Sequence, residues 1–379
     1  MVTTEDGRSE YAVRQYEPSD REEVLSLYGT VFGRDDESWF DWRYVDNPYL
    51  SEVPICVADR DGEVVGARPS LPFPLRVGGE RVLAIAQVDP MVAPEHRRRG
   101  LFSRMVTHVY GYYADREPSV SIGFPNEAVM GALSNLDEEL SLHRGVTREF
   151  PVHYRLQDPG ALLSSKVDDG ALGRLVGGLA GAAGRGVLSV RTGSPGGSAT
   201  VTVTPYDGVP AAELANLAER SVTPRAHAYR DETFYRWRYA NPRFDYVTYV
   251  ADVDGRREAA LMVGRKRAGD VDVVHVSDVA PLGGREPWRT ALDHLFSRVV
   301  ADFDDADLLA VAGEVVPAGI LDRYRFRPAT AFPLSRLTAT TYLVARPLTN
   351  RDVDEWRVGG QVLSEDDRWR FTFCEREIG

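Results

Sequence analysis

The stretch at residues 37–63, ESWFDWRYVDNPYLSEVPICVADRDGE, returns in altered form at residues 232–258 as ETFYRWRYANPRFDYVTYVADVDGRRE. Both copies carry Trp-Arg-Tyr followed by Asn-Pro, at 42–48 and at 237–242. Similarity within one chain over a long period is typical of a repeated structural unit. The sequence therefore predicts two copies of one fold rather than a single large domain.

The similarity continues on both sides of this stretch. Residues 11–28 resemble residues 199–218, and residues 87–106 resemble residues 275–300. The hydrophobic periodicity of each unit predicts a strand, a helix, a second helix ending at Asn-Pro, two strands joined by an Asp-Gly turn, a further strand and an amphipathic helix. We therefore expect an α/β (α+β) protein with two tandem domains.

Composition limits the classes of protein and site to consider. The chain has 379 residues, 43% of them hydrophobic, which is enough for two ordinary domains. A formal net charge of -12 argues against a general nucleic-acid-binding protein, because binding a phosphate backbone requires a basic face. Two distant cysteines, Cys56 and Cys374, predict neither a disulfide framework nor a structural metal site. Without a long apolar run or a secretion signal, we expect a cytoplasmic protein with no membrane partner.

The basic side chains are almost all arginines, since Lys166 and Lys266 are the only lysines. A high-GC genome and a salt-adapted, halophilic cytoplasm both explain this bias. The acidic surface favours a cationic acceptor through long-range attraction, but salt adaptation produces the same surface.

A cluster of arginines stands between a predicted strand and a predicted helix, in the stretch VAPEHRRRGLFSRM at 92–105. The first-turn amides of a helix have no helical partners, and the helix dipole adds partial positive charge there. Gly100 allows a bound phosphate to approach the backbone closely, and the arginines at 97–99 add charge-assisted hydrogen bonds. The stretch therefore predicts an anion site.

This stretch resembles the acetyl-CoA pyrophosphate loop of the Gcn5-related N-acetyltransferases (GNAT), whose pattern is Gln/Arg-x-x-Gly-x-Gly/Ala between the fourth strand and the third helix. Five of the six positions fit, and Phe102 departs from the usual Gly or Ala; the form HRRRGL is similar to the Eis-like branch. The resemblance implies acetyl-CoA as co-substrate and two domains, each a mixed, mostly antiparallel sheet flanked by helices. The cofactor-binding residues that it implies are Val92, Arg97, Arg98, Arg99, Gly100, Leu101, Phe102 and Asn126.

The same resemblance implies direct attack of a neutral amine on the thioester, with a carboxylate as proton acceptor. Asp89, on the strand before the loop, is the first candidate, although Asp89-Pro90 also predicts a β-bulge. Glu127 is the second candidate carboxylate. In this family a tyrosine often acts as the general acid that protonates the leaving thiolate. The corresponding position falls near Leu133 or Ser134, and neither residue is a tyrosine. We expect no metal in the reaction.

The second unit lacks the arginine loop, having VAPLGGREPWRTAL at the corresponding place. We therefore predict a catalytic GNAT domain at 1–155, a Gly/Ala-rich connector at 156–198, a degenerate GNAT-like domain at 199–345 and a C-terminal tail at 346–379 that packs on the body.

The Trp-Arg-Tyr and Asn-Pro motif is present in both units, including the one without the loop. A catalytic motif should occur only in the unit that has the cofactor loop, so we expect this motif to be structural. We expect the tryptophan to lie in the core, the arginine to bond carbonyls and Asn-Pro to end the helix. It can also border the acceptor cleft.

The function expected from these residues is N-acetylation of a primary amine on a small molecule, an amino sugar or a protein. Two alternatives stay open: an aminoacyl or peptidyl transferase of the tandem-GNAT type, and a non-catalytic CoA-binding protein. The first would not need an intact loop in the first unit, and the second is favoured by the missing tyrosine. The oligomeric state is not predicted.

Overall fold

The computed structural model of the chain describes residues 10–127, 129–131, 133, 145–157, 195–196, 199–268, 271–332, 334–336, 338–349 and 355–376. Nearly all of the predicted connector at 156–198 lies outside these residues.

The first unit builds strands and helices in the predicted order. Its elements are β1 (Ala12–Gln15), α1 (Arg21–Phe32), α2 (Glu37–Phe40), β2 (Ile55–Arg60), β3 (Glu63–Val77), β4 (Glu80–Gln87), β5 (Met91–Val92), α3 (Leu101–Tyr112), β6 (Val120–Gly123) and β7 (Val146–Glu149).

The second unit repeats this order, and further short strands follow it. Its elements are β8 (Val152–Leu156), β9 (Val201–Asp207), α4 (Ala211–Ala218), β10 (His227–Ala228), α5 (Glu232–Arg238), β11 (Asp245–Val253), β12 (Arg256–Ala268), β13 (Val271–Ala280), α6 (Glu286–Asp302), β14 (Leu308–Ala312), α7 (Ala318–Arg323), β15 (Arg327–Pro328), β16 (Tyr342–Pro347), β17 (Arg357–Val358) and β18 (Gln361–Val362).

Each unit is built on one mixed sheet. The first sheet runs β1-β2-β3-β4-β6-β16-β7, and the second runs β15-β8-β14-β13-β12-β11-β9. The β4–β6 and β13–β14 neighbours are parallel, and the other neighbours along both paths are antiparallel. The predicted fold class, two tandem α/β domains with mostly antiparallel sheets, is confirmed.

The two sheets exchange strands. β16 lies between β6 and β7 of the first sheet, with Ala345 opposite Ile122 on one side and Val146 on the other. β8 lies between β14 and β15 of the second sheet. The predicted boundaries at 155 and 345 therefore pass through strands that pair with the sheet of the other unit.

The repeated Trp-Arg-Tyr motifs meet at the centre of the molecule. The rings of Trp42 and Trp237 stack with centroids 5.9 Å apart and an interplanar angle of 19°. The Trp42 indole N–H donates to the Trp237 carbonyl at 2.6 Å, and the Trp237 indole N–H donates to the Trp42 carbonyl at 3.1 Å. Both rings are buried, so the tryptophans fulfil the expected structural role by joining the two units through a reciprocal contact.

The core continues across this junction. One cluster of buried side chains includes Leu71 of β3, Trp237 of α5 and Phe371 of the tail. The tail aromatics at 369, 371 and 373 are almost fully buried, and β17 pairs with β18 as a separate two-stranded ribbon. In the part of the chain that the structure describes, no helix is long and apolar enough to cross a membrane.

Candidate active site

A β-bulge interrupts the strand that leads to the arginine loop. β3 pairs with Gln87 on one side of this point and with Met91 on the other, and two residues of β3 face three residues at 88–90. Asp89 has a φ of 39°, which takes it out of the strand conformation. The bulge expected at Asp89-Pro90 is therefore present, and its backbone amide donates to no described residue.

The Asp89 carboxylate is held by two arginines. Arg43 of the first Trp-Arg-Tyr motif places Nη1 2.9 Å from Asp89 Oδ2, and Arg34 places Nη2 3.7 Å from Oδ1. Arg43 is completely buried and lies over the Trp39 ring at 4.5 Å. The arginine that we expected to bond carbonyls instead forms an ion pair with the first-ranked catalytic candidate.

Its counterpart in the second unit does bond carbonyls. The Arg238 Nε–H donates to the Cys374 carbonyl at 2.8 Å, and its Nη2–H donates to the Phe373 carbonyl at 3.4 Å. The same motif thus supports the bulge in one unit and fixes the C-terminal tail in the other.

The backbone of the arginine loop has the conformation of an anion site. A 3-10 turn at Pro94–His96 leads to Arg98, at φ 63°, and to Gly100, at φ 74°. Gly100 is the N-cap of α3, and the first helical hydrogen bond runs from the Arg104 amide to the Gly100 carbonyl at 3.1 Å. The amides at 101–103 therefore precede the helical hydrogen bonds and can bind an anion.

The side chains of the loop divide between structure and solvent. Arg97, Arg98 and Arg99 are exposed, and Arg97 Nε–H donates to the Val92 carbonyl at 3.1 Å. Leu101 is buried in the cluster under α3. The loop therefore combines three accessible guanidinium groups with the first amides of a helix, which fits a pyrophosphate.

A cavity of about 370 Å³ lies between the bulge and the end of β6. Phe102, in the first turn of α3, borders both the loop and the cavity. Side chains and backbone from α1, β3, the bulge, α3, the segment after β6 and the tail form the wall. They are Phe32, Arg68, Gln87, Val88, Asp89, Pro90, Phe102, Gly123, Phe124, Pro125, Asn126, Val129, Leu133 and Arg376.

The structure brings together some of the predicted site residues and not others. Asp89, Phe102 and Asn126 all line the cavity. Asn126 also caps the following helix, because its Oδ1 accepts the Val129 amide hydrogen at 3.2 Å. Glu127 is exposed and does not line the cavity.

None of the described residues on the cavity wall is a tyrosine, histidine or cysteine. Leu133 occupies the wall where the resemblance implies an acid tyrosine, and Ser134 lies outside the described residues. Tyr112 and Tyr113 both bond Glu52 instead, and burial raises the pKa of the Tyr113 phenol. No group of three or more described His, Cys, Asp or Glu side chains is arranged to hold a metal ion.

Sequence reasoning missed three polar residues of the wall, Arg68, Gln87 and Arg376. Arg68 had a signal, because it is a charge within the otherwise apolar run VVGARPSLPF and therefore lies in a strand that should be buried. Gln87 ends β4 and had no distinguishing pattern. Arg376 could not be placed because the path of the tail depends on tertiary contacts.

In the second unit the C-terminal tail fills the equivalent place. Ser277 is an extra residue in β13, so a bulge precedes α6 as in the first unit. The neighbouring Asp278 is fully buried and accepts from Arg230 Nε–H at 2.8 Å and from the Thr372 hydroxyl at 3.0 Å. Glu375 of the tail also pairs with Arg230, at 2.8 Å.

The N-terminus of α6 is also occupied by side chains of this unit. The Trp288 ring packs against Gly284, and its indole N–H donates to the Pro281 carbonyl at 3.0 Å. An indole and a proline at the helix start therefore stand where the first unit presents arginines and free amides.

Comparison with known proteins agrees with this architecture. Residues 12–131 match the family model of the acetyltransferase (GNAT) domain. No curated protein matches the sequence. A GCN5-related N-acetyltransferase from Anabaena variabilis superposes with a TM-score of 0.53 and 14% identity, over 89% of this chain and 73% of that chain.

Two further solved structures share the fold. A tandem GNAT protein from the clavulanic acid biosynthesis pathway has a TM-score of 0.53 and 12% identity, over 89% of this chain and 98% of that chain. Saccharomyces cerevisiae N-myristoyltransferase, solved with bound myristoyl-CoA and inhibitors, has a TM-score of 0.53 and 10% identity, over 91% of this chain and 82% of that chain. The predicted resemblance to GNAT proteins and the tandem arrangement are confirmed.

Filling of the second unit by the tail can be tested at Gly313, just after β14. Gly313 has a φ of 81°, and a Cβ there would overlap the Phe371 carbonyl oxygen. We expect Gly313→Ala to lower the free energy of unfolding by about 2–4 kcal/mol, measured by urea denaturation. Gly208→Ala is the control, because Gly208 has a similar positive φ of 72° but a Cβ there would meet nothing within 4 Å. Equal stability of the two variants would contradict the tail contact.

Proposed function

We propose that this chain, whose residues 12–131 match the acetyltransferase (GNAT) domain family, transfers an acetyl group from acetyl-CoA to a primary amine. The match of residues 12–131 to the GNAT domain supports the coarser class, an acyltransferase that uses acyl-CoA. One observation carries the proposal: Phe102, in the first turn of α3 just after the arginine loop, and Asp89, whose amide donates to no described residue, line the same cavity. The myristoyl-CoA bound to the yeast relative supports a thioester of CoA as the donor.

The loop would hold the pyrophosphate of the donor. Phosphate oxygens accept charge-assisted hydrogen bonds from guanidinium groups and bind the amides of a helix start. Arg97, Arg98 and Arg99 and the amides at 101–103 supply these donors in the first unit. Acetyl-CoA is the proposed donor because residues 12–131 match the acetyltransferase (GNAT) domain family.

The backbone amide of Asp89 in the bulge would bind the carbonyl oxygen of the thioester. An amide that is already free can stabilise the oxyanion of the tetrahedral intermediate, and the Asp89 amide fits this requirement. The amine nitrogen attacks the carbonyl carbon, a C–N bond forms and the C–S bond breaks. The CoA thiolate then takes a proton from solvent, since no described wall residue is a tyrosine.

The amine must lose a proton before or during attack, because alkylamines are mostly protonated at neutral pH. We assign this proton to the Asp89 carboxylate, directly or through water, with Arg43 and Arg34 fixing its orientation. Glu127 remains the second candidate, although it does not line the cavity. The acceptor would be a small molecule, an amino sugar or a protein amine.

One alternative function has an observation in its favour. Leu133 in place of the acid tyrosine favours a protein that binds acyl-CoA without turnover. The loop of the first unit does not favour the aminoacyl or peptidyl transferase alternative, since a tRNA-dependent enzyme would not need it.

The first test measures acetyl-CoA binding by calorimetry at low and at molar salt. We expect the Arg97→Ala, Arg99→Ala double variant to bind at least about a hundredfold more weakly, because two charge-assisted contacts are removed. Arg116→Ala is the control, since Arg116 is exposed beyond the far end of the same helix. Unchanged affinity in the double variant would refute the loop as the cofactor site.

The second test addresses the proton acceptor. We expect Asp89→Asn to lower kcat at neutral pH by about a hundredfold, the usual size of a general-base effect, while the affinity for acetyl-CoA stays within about twofold. The readout is release of free CoA with a panel of primary amines. Asp61→Asn is the control, because that carboxylate is 91% exposed in a hairpin turn. Full turnover by Asp89→Asn would exclude Asp89 as the base.

A further inference from the structure

Arg68 is a buried cation that has no counter-charge among the described residues. It lies in β3, is only 5% exposed and lines the cavity. It forms no ion pair or hydrogen bond with any described residue, and its Nε is both buried and unpartnered. A buried, unpaired charge is costly, so its partner is expected to arrive with a ligand.

The surroundings of Arg68 preserve its charge. The guanidinium lies over the Phe102 ring at 5.1 Å, a cation–π contact. Burial lowers its pKa to about 10, opposed only by the nearby Tyr110 and Cys56 side chains, so it stays protonated at neutral pH. No carboxylate contributes to this balance.

A second unpartnered group stands on the same wall. Gln87 lines the cavity, and both its amide nitrogen and its amide oxygen are buried without a hydrogen-bond partner. The amide can donate to an oxygen of a ligand that Arg68 attracts. Two unsatisfied polar side chains on one cavity wall point to a missing polar ligand.

The charge around the cavity is positive although the chain is acidic overall. Arg376 lines the same cavity as Arg68. The one carboxylate on the wall among the described residues, Asp89, already faces Arg43 and Arg34. The local field therefore favours an anion, in contrast to the cationic acceptor that the overall charge suggests.

We propose that the cavity binds a substrate carboxylate, with Arg68 as its counter-ion and Gln87 as an additional hydrogen-bond donor. The proposal rests on the proposed acyltransferase function. A carboxylate on the acceptor would narrow the class of amine, whereas a carboxylate on the donor would replace the acetyl group by a dicarboxylic acyl group. The carboxylate belongs either to a dicarboxylic acyl group on CoA or to an amino-acid acceptor. In both cases it is not consumed, since only the C–N bond forms and the C–S bond breaks.

The binding experiment compares succinyl-CoA, butyryl-CoA and free CoA by calorimetry. If the acyl group carries the carboxylate, the wild-type chain binds succinyl-CoA at least about tenfold more tightly than butyryl-CoA, because a charge-assisted hydrogen bond is gained. Arg68→Gln removes this preference and leaves the affinity for free CoA unchanged. Arg256→Gln, at the exposed first residue of β12 in the second unit, is the control and retains the preference.

The kinetic experiment compares a panel of amino acids with their carboxamides, with acetyl-CoA as donor. If the acceptor carries the carboxylate, kcat/KM is at least about tenfold higher for amino acids than for their carboxamides. In Arg68→Gln the two kcat/KM values become equal. Arg68→Lys keeps the charge and should retain part of the preference in whichever experiment shows it. The experiment that responds identifies the source of the carboxylate.

Two outcomes overturn the proposal. In the first, Arg68→Gln binds free CoA normally and changes neither the preference for succinyl-CoA over butyryl-CoA nor the preference for amino acids over carboxamides. In the second, it weakens free CoA as much as succinyl-CoA, which would make Arg68 part of the CoA site. Folding should not obscure the result, because the substitution removes a buried, unpaired charge; Arg68→Met is the second variant.

Failure of the proposed function would be recognised separately. If the wild-type chain binds no form of CoA, the carboxylate site is tested directly by thermal unfolding with succinate or succinamide. A rise in Tm with succinate alone, lost in Arg68→Gln, would support the site. Equal responses to the two compounds would overturn it.

Discussion

The reciprocal contact between Trp42 and Trp237 is the constraint on which the rest of the structure depends. Each indole bonds the backbone carbonyl of the other, so the two repeats fix one another at one buried point. The arginines that follow the tryptophans then serve different ends. Arg43 holds Asp89 beside the cavity, whereas Arg238 binds carbonyls of the tail. One duplicated motif thus supports an open site in the first unit and a filled one in the second.

Exchange of strands makes the two units interdependent. β16 comes from the C-terminal part of the chain but completes the first sheet, and β8 completes the second. The tail then carries Thr372–Glu375 into the buried network around Asp278, and the next residue, Arg376, lines the cavity of the first unit. The second unit therefore contributes to the site by positioning the tail. An isolated first domain would lack both β16 and Arg376.

The sequence was sufficient to predict the repeat, the fold class, the bulge at Asp89 and the structural role of the paired tryptophans, because each follows from local pattern or from symmetry within the chain. It was insufficient for the exchange of β8 and β16, since a short strand carries no local signal of which sheet it joins. The ion pair of Arg43 could not be predicted because its partner, Asp89, lies in a bulge 46 residues away. Glu127, close in sequence to the cavity, proved to be exposed because Asn126 begins a helix there.

The central claim is that one of two similar units binds the donor. Its most direct test is the stoichiometry of acetyl-CoA binding to the full chain, measured by native mass spectrometry together with calorimetry. The account predicts one molecule per chain, because the tail network and Trp288 fill the second unit. Two molecules per chain would contradict the closed second unit, and no binding would contradict the loop at 97–100 as a cofactor site.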